Sequence, residues 1–365
     1  MTDQPPPTTP PPGPGEPGPS DPGATGGQAG PPPGWNPAQG GWGTPGAPAQ
    51  WVFPPTGGYP PGTGPYPGQS WYPGAPVGWY PPGHGFDPND ALVTPPGAGV
   101  GGWSARCGAA LRRGWRVLVP IMLLTQVVPA AVLSVISLGV DPSARWEEQG
   151  QAPSSLPETF VTDLVTLLTV LVGGSLLIGL VQAIGWAAGS WVITRQAAGE
   201  AAALGPALRY GVRRALGLWG WTLLIGLLIG VGLCFCVLPG IYLAFALSMA
   251  GPVYLFERQN PIGRSFRMFH DRLGLLLGRV ALVAAVVIVA TVVPSVLESI
   301  MSVPLGTDPL SSPGTAVGIV VVLAVSAVLA LPAHLAQLIG LLVTYAEQRA
   351  HEAPVNSAGL AAELG

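Results

Sequence analysis

The stretch that decides the fold is residues 215–256, ALGLWGWTLLIGLLIGVGLCFCVLPGIYLAFALSMAGPVYLF. It carries no charged side chain over its whole length. A helix needs about 20 apolar residues to cross a bilayer core of about 30 Å, so this run is long enough for two spans. Pro239 and Gly240 form the kind of dipeptide that marks a turn. The sequence therefore predicts a tight helical hairpin broken at Pro239 and Gly240, and a re-entrant or broken single helix is the alternative.

Four further apolar runs flank the hairpin. Together with its two arms they predict six spans, at about 117–140, 164–193, 215–237, 240–256, 273–297 and 316–345. Only 9% of the residues are charged and the mean hydropathy is +0.45, whereas an ordinary soluble domain carries about 25% charge. The predicted fold is an all-α integral membrane protein with a six-helix domain over residues 101–350.

The arginines predict the orientation of the domain. All fifteen basic residues are arginine, and the predicted outer loops 141–163 and 298–315 contain only Arg145. Arginine accumulates in cytoplasmic loops. Both termini, including a short C-terminal tail at 351–365, are therefore predicted to be cytoplasmic, with the protein in the plasma membrane.

Three short basic segments precede the odd-numbered spans, at 103–116, 206–217 and 261–274. Each interleaves arginines with apolar residues, which is typical of amphipathic helices that lie in the membrane interface. We expect these interfacial elbows to contact anionic lipid headgroups. Because the arginines are spread among separate segments and not clustered on one face, no nucleic-acid binding is predicted.

The first 100 residues have a different composition. They hold 29 of the 44 prolines and 23 of the 53 glycines, and such a segment cannot bury enough apolar surface to fold. We expect a disordered cytoplasmic tail. Aromatic residues recur between its Pro and Gly residues: Tyr59, Tyr66, Trp71, Tyr72, Trp79 and Tyr80. They are either binding elements of an interaction arm or neutral parts of a passive tether.

Residues suited to catalysis are scarce. The four histidines do not cluster with acidic residues at metal-ligand spacing, and the chain has neither a nucleophile elbow nor a phosphate-binding loop. We therefore expect no enzyme activity, no cofactor and no metal. One polar feature lies deep in the last span, where His334 and Gln337 share a helical face after Pro332 and form a candidate polar notch.

Three short motifs carry a family resemblance: LPGI at 238–241, GPVYLFE at 251–257 and RSF at 264–266. The region resembles the membrane domain associated with some bacterial glycerophosphoryl diester phosphodiesterases, which also occurs in stand-alone actinobacterial membrane proteins behind Pro/Gly-rich tails. The resemblance implies a multi-span helical domain whose recurring polar residues are Glu257, Arg264 and Ser265. It places the catalytic barrel in a separate soluble domain, so no catalytic residue is carried over. A Glu257–Arg264 pair would hold the loop after the fourth span.

Two functional hypotheses follow, with a third from the resemblance. The first is a non-enzymatic membrane-tethered interaction protein that recruits cytoplasmic partners through its tail. The second is a small-solute or lipid transporter that uses the break at Pro239 and Gly240 and the notch at His334 and Gln337. The third is an accessory membrane subunit of a separately encoded phosphodiesterase. Self-association into a homo-oligomer is compatible with each of them.

Overall fold

Each predicted apolar run is helical in the computed structural model, which describes residues 87–143, 146, 159–306, 310 and 312–365. Among those residues, six helical stretches are long and apolar enough to cross a membrane, and none of the described residues forms a β-strand. The predicted all-α membrane fold is therefore confirmed. The tail from residue 1 to 86, with all six predicted aromatic binding residues, lies outside the described residues.

The described residues form eleven α-helices, and three of the six spans contain two α-helices each. The first span is α1 (Gly99–Met122), a π-helical turn (Leu123–Val127) and α2 (Val128–Val140); the second is α3 (Phe160–Ala197) and the third is α4 (Leu204–Phe235). The fourth span is α5 (Val237–Ala246) followed by α6 (Ala250–Phe256), and α7 (Pro261–Asp271) leads into the fifth, α8 (Leu273–Ser302). The sixth is α9 (Pro313–Leu329) and α10 (Leu331–Glu352), and α11 (Ser357–Leu364) ends the chain.

The core of the bundle forms around α10. This helix packs against α1 and α8, while α3 packs along α4. Nearly every residue from Leu338 to Ala350 is buried, among them the fully buried Tyr345. The outward faces of the other spans expose many large apolar side chains, as expected for helices whose solvent is lipid.

Only one of the three predicted elbows is a separate helix. The segments 103–116 and 206–217 are the first parts of the continuous helices α1 and α4. The third is α7, whose buried residues Pro261, Ser265, Met268 and Phe269 share one face. Asn260 begins α7, because its side-chain oxygen accepts hydrogen bonds from two backbone amides of the first turn.

The predicted position of the hairpin break is wrong by about one helical turn. The chain reverses at Cys236, which has extended backbone angles (φ −168°, ψ 140°), and Pro239 and Gly240 lie inside α5. Pro239 is tolerated there because amides in the first turn of a helix have no intrahelical partner. Gly240 lies where α5 meets α4: a Cβ at this position would be 2.7 Å from the backbone nitrogen of Leu233.

The tip of this hairpin is apolar and strongly exposed. Phe235 and Leu238 are 86% and 74% exposed, and Phe235 lies 21 residues beyond Arg214, or about 31 Å along the helix. That distance equals about one hydrocarbon thickness. The distance allows the tip to reach the outer edge of the hydrocarbon, and its exposed apolar side chains favour contact with lipid over water, so we expect the tip to end among lipids.

The exposed thiols of Cys234 and Cys236 test the position of this tip. In lysed membranes, a membrane-impermeant maleimide should label them at least about tenfold more slowly than a membrane-permeant one, because a charged reagent does not enter hydrocarbon. The control is an Asp141→Cys variant in which all three native cysteines are changed to serine. Its thiol lies just after α2, in a predicted outer loop. Equal labelling of the native tip and the control position by the impermeant reagent would contradict this prediction.

The folded domain is wider than the predicted 101–350. The carboxylate of Asp90 accepts hydrogen bonds from the backbone amide and the hydroxyl of Ser357, at 2.7 and 2.6 Å. Leu92 is fully buried, and so are Leu360 and Leu364 of α11. The chain just before α1 and the C-terminal helix are therefore both parts of the packed domain.

Candidate functional site

A cavity of about 570 Å³ lies at the centre of the membrane domain. Its walls come from α3, α4, α5, α6, α8 and α10, with one residue from the π-helical turn of the first span. Most of the lining is apolar. Five larger side chains with polar groups face it: Gln126, Gln182, Trp186, His334 and Gln337.

The polar side chains lie near the middle of the spans. Gln337 is 12 residues before Arg349 on α10, or about 18 Å along the helix, and Gln182 is 13 residues before Arg195 on α3, or about 20 Å. Arg195 and Arg349 are both in the last turns of their helices. In a hydrocarbon core of about 30 Å, the cavity is therefore close to mid-depth.

Several of these side chains have unused hydrogen-bonding groups. The amide of Gln126 donates to the backbone oxygen of Gln182 at 3.1 Å. Within the part of the chain that the structure describes, the side chains of Gln182, His334 and Gln337 and the indole N–H of Trp186 make no hydrogen bond. All four residues are half-buried, and none of their polar atoms is fully buried without a partner, so these atoms stay accessible to a bound molecule. Groups that converge in this way are suited to binding a molecule with hydrogen-bonding atoms of its own.

The lining of the cavity contains no charged residue among the described side chains. No group of three or more metal-ligating residues occurs in the described ranges either. A charged solute at this depth would need a counter-charge or several strong ligands. The chemistry of the walls therefore favours an uncharged molecule.

All three interruptions of the spans border the cavity. The π-helical turn carries Gln126, the bend between α5 and α6 carries Ser248, and the break between α9 and α10 is followed by His334. Pro129 explains the first interruption, because it has no amide hydrogen to donate to the carbonyl of Thr125. Interrupted membrane helices that meet at mid-depth are typical of substrate sites in transporters, and π-helical turns are common at functional sites.

The cavity opens sideways between the α4–α5 hairpin and α8. Three residues line the cavity and are also exposed at the surface of the bundle: Thr222 and Ala244 of the hairpin and Ile288 of α8. The two sides do not pack closely together, since α8 packs mainly against α9 and α10. The opening is thus flanked by surface that faces lipid.

The structure places the predicted site residues in two regions. His334 and Gln337 line the cavity together, whereas Pro239 and Gly240 do not take part in it. Gln126, Gln182 and Trp186 were not predicted from the sequence. A signal for the two glutamines existed, since each is an isolated amide within an apolar run.

The polar residues expected from the resemblance are Glu257, Arg264 and Ser265. They lie at the polar end of the helices, the end that is away from the hairpin tip and carries the described arginines. The predicted contact is present: Arg264 Nε donates to Glu257 Oε2 at 2.8 Å, and Arg264 also pairs with Glu352. Ser265 is buried and donates to the backbone oxygen of Ala246 at 2.7 Å, which holds α7 on α5. Burial opposes the charge of Arg264, but its hydrogen bonds to the two carboxylates raise its pKa, so the cation persists at any accessible pH.

Other contacts extend this polar end to the C-terminus. Glu257 Oε1 accepts a hydrogen bond from the hydroxyl of Tyr345 at 3.0 Å, and Arg349 joins Tyr345 to Glu363 of α11. These bonds connect α6, α10 and α11. Every charge in the network has an opposite partner, so its arrangement favours a structural role.

A buried ion pair was not predicted from the sequence. Arg279 of α8 donates two hydrogen bonds to the carboxylate of Glu347 on α10, each 2.9 Å long. The ring of Trp103 lies 5.6 Å from the guanidinium, and its indole N–H donates to Thr344. The group joins α1, α8 and α10.

Comparisons with known proteins reveal no relative of this chain. No protein-family model, no curated protein and no solved structure matches it. The candidate site therefore rests on the geometry of the described residues. The resemblance to the phosphodiesterase-associated membrane domain stays a prediction.

Proposed function

We propose that this integral membrane protein binds a small uncharged molecule in its central cavity, as a non-enzymatic transport or carrier protein. The observation that carries the proposal is the convergence of unpaired polar groups from Gln182, Trp186, His334 and Gln337 on one space at mid-depth. The interrupted spans around it support the proposal, because such helices form the substrate sites of many transporters. The volume of the cavity also falls in the range of small-molecule sites, about 300–1,000 Å³.

We further propose that the protein lies in the plasma membrane with its polar end in the cytoplasm. The described arginines lie toward this end of the helices, and arginine-rich flanks mark the cytoplasmic side. Four exposed arginines at this end have no partner in the described ranges and are available to anionic headgroups: Arg112, Arg209, Arg213 and Arg267. Both termini then lie in the cytoplasm.

Native mass spectrometry of protein purified in mild detergent tests the binding proposal. Ala284 of α8 lines the cavity, whereas the next residue, Ala285, is exposed and does not. A phenylalanine at 284 fills part of the space. We therefore expect the fraction of protein that carries a bound small molecule to be at least about tenfold lower in Ala284→Phe than in the wild type. Ala285→Phe adds the same ring to the lipid-facing side and should retain that mass.

Two results would count against binding. One is wild-type protein from native membranes that carries no bound mass under any mild extraction. The other is a bound mass that is equally abundant in both phenylalanine variants, since this would place the molecule outside the cavity. Loss from Ala284→Phe alone supports the proposal.

A second candidate function is recruitment of cytoplasmic partners by the Pro/Gly-rich tail. It is supported by the recurring aromatic residues and by the attachment of the tail to the polar end, where Asp90 binds Ser357. The bonds of Asp90 and the burial of Leu92 indicate that a deletion should stop at residue 86 and not at 100. This keeps the packed domain intact.

Proximity labelling of the full-length protein beside a variant lacking residues 2–86 tests the tail. A set of cytoplasmic neighbours that disappears with the tail supports recruitment, and an unchanged set contradicts it. The same experiment tests a third candidate function, which comes from the family resemblance: an accessory membrane subunit of a separately encoded phosphodiesterase. That enzyme should then appear among the neighbours of both forms.

A further inference from the structure

We infer that the molecule bound in the cavity is an uncharged lipid of the acylglycerol type, which enters sideways from the bilayer between the α4–α5 hairpin and α8. The inference rests on the proposed binding function and names its ligand class. It depends on the position of the opening, the lack of charge in the walls and the hydrogen-bonding groups at the inner end.

The opening leads from lipid into the cavity. Its margins are Thr222 and Ala244 on one side and Ile288 on the other. The neighbouring outward surfaces are apolar, with Leu227 63% and Val286 53% exposed. A molecule that reaches this opening therefore comes from the hydrocarbon region. The hydroxyl of Thr222 donates to the backbone oxygen of Leu218, so its hydrogen is already bound within α4.

The inner end of the cavity suits a hydroxyl or ester group. The amides of Gln182 and Gln337 can each donate and accept hydrogen bonds, and the indole of Trp186 can donate one. Hydroxyl and ester oxygens of an acylglycerol provide the complementary acceptors and donors. Binding such a group would satisfy the polar atoms that have no partner in the described part of the protein.

A phosphate headgroup does not fit the same place. The described residues of the lining include no arginine, and the nearby cation of α8, Arg279, is already held by two hydrogen bonds to Glu347. An anionic phosphate at mid-depth would thus be buried without a counter-charge, at a cost of several kcal/mol. The site should therefore discriminate neutral lipids from phospholipids.

The cavity holds only part of such a lipid. A volume of about 570 Å³ corresponds to one small ligand. The headgroup and the first part of one acyl chain would occupy it, while the rest of the chain would extend between the hairpin and α8. This arrangement explains why the opening is lined by apolar residues such as Ile225 and Val287.

Photo-crosslinking in proteoliposomes tests the inference. The probes are a monoacylglycerol with a diazirine in its acyl chain and a phosphatidylglycerol that carries the same diazirine chain. We expect the monoacylglycerol to label lining residues of α4, α5 and α8, and Ala284→Phe to reduce that labelling at least about tenfold. Ala285→Phe should not change it, and the phosphatidylglycerol should label only the outer surface of the helices.

A second variant is available if Ala284→Phe fails to fold. Gln337→Leu keeps a similar volume but removes hydrogen-bonding groups, and we expect about two- to tenfold less labelling by the monoacylglycerol. Equal labelling of the cavity by both lipids, or labelling that neither variant lowers, would overturn the inference. If native mass spectrometry still finds a bound molecule that Ala284→Phe loses while the monoacylglycerol leaves the cavity unlabelled, the ligand belongs to another class and only the acylglycerol inference fails. If the bound mass is also absent, the proposed function fails with it.

Discussion

Replacing Glu347 by glutamine is expected to lower the free energy of unfolding by about 3–5 kcal/mol. Arg279 and Glu347 are both almost completely buried and share two hydrogen bonds of 2.9 Å. Without the carboxylate, the guanidinium of Arg279 keeps its charge in a place where water cannot solvate it. Thermal unfolding in detergent, followed by tryptophan fluorescence, measures the loss.

Two controls separate this effect from a general sensitivity to charge loss. Glu200→Gln removes one partner of the exposed Arg195–Glu200 pair, and exposed pairs contribute only about 0–1 kcal/mol. The double variant Arg279→Met with Glu347→Leu replaces the buried pair by apolar groups, and it should recover most of the lost stability. A Glu347→Gln protein that unfolds at the wild-type temperature would contradict the assignment of this pair as a major support of the bundle.

The second large effect is expected at Gly211, where α4 crosses α3. A Cβ at this position would lie 2.5 Å from the backbone oxygen of Ile184 and 3.2 Å from Cβ of Ala188. A backbone atom cannot turn aside as a side chain can. Gly211→Leu must therefore push α4 away from α3, and we expect a loss of about 1–3 kcal/mol or more. The melting temperature of the purified protein gives the measurement.

Gly220 is a matched control on the same helix. Nothing lies within 4 Å of a Cβ built there, so Gly220→Leu should leave the melting temperature within a few degrees of wild type. Because α3 and α4 both form walls of the cavity, Gly211→Leu should also reduce ligand binding. Equal stability of the two leucine variants would show that the α3–α4 crossing is looser than described.

The spans could be predicted because hydropathy depends only on the length and composition of a run. The Glu257–Arg264 contact could be predicted as well, since the two residues flank one short loop. The position of the hairpin break could not. A proline in the first turn of a helix costs little, so Pro239 was compatible with both a turn and a helix start, and packing of Gly240 against Leu233 decided between them.

The cavity was beyond prediction for a different reason. Its polar side chains come from separate helices, with Gln126, Gln182 and Gln337 far apart in the chain. A single sequence does not reveal which faces of six apolar helices meet. The same holds for Arg279 and Glu347, which are 68 residues apart. His334 and Gln337 share a helix, and their common face was recognised; Gln182 and Trp186 also share a helix, α3, but their common face was not.

The proposed function requires that the cavity binds a molecule inside the membrane domain. Electron cryomicroscopy of the protein in nanodiscs made from its native membranes tests it most directly. We expect elongated non-protein density in the cavity, within hydrogen-bond distance of Gln182 and Gln337, that continues toward the gap between α4 and α8. A closed bundle in which His334 and Gln337 bond to other protein groups, with no space between the helices, would contradict it.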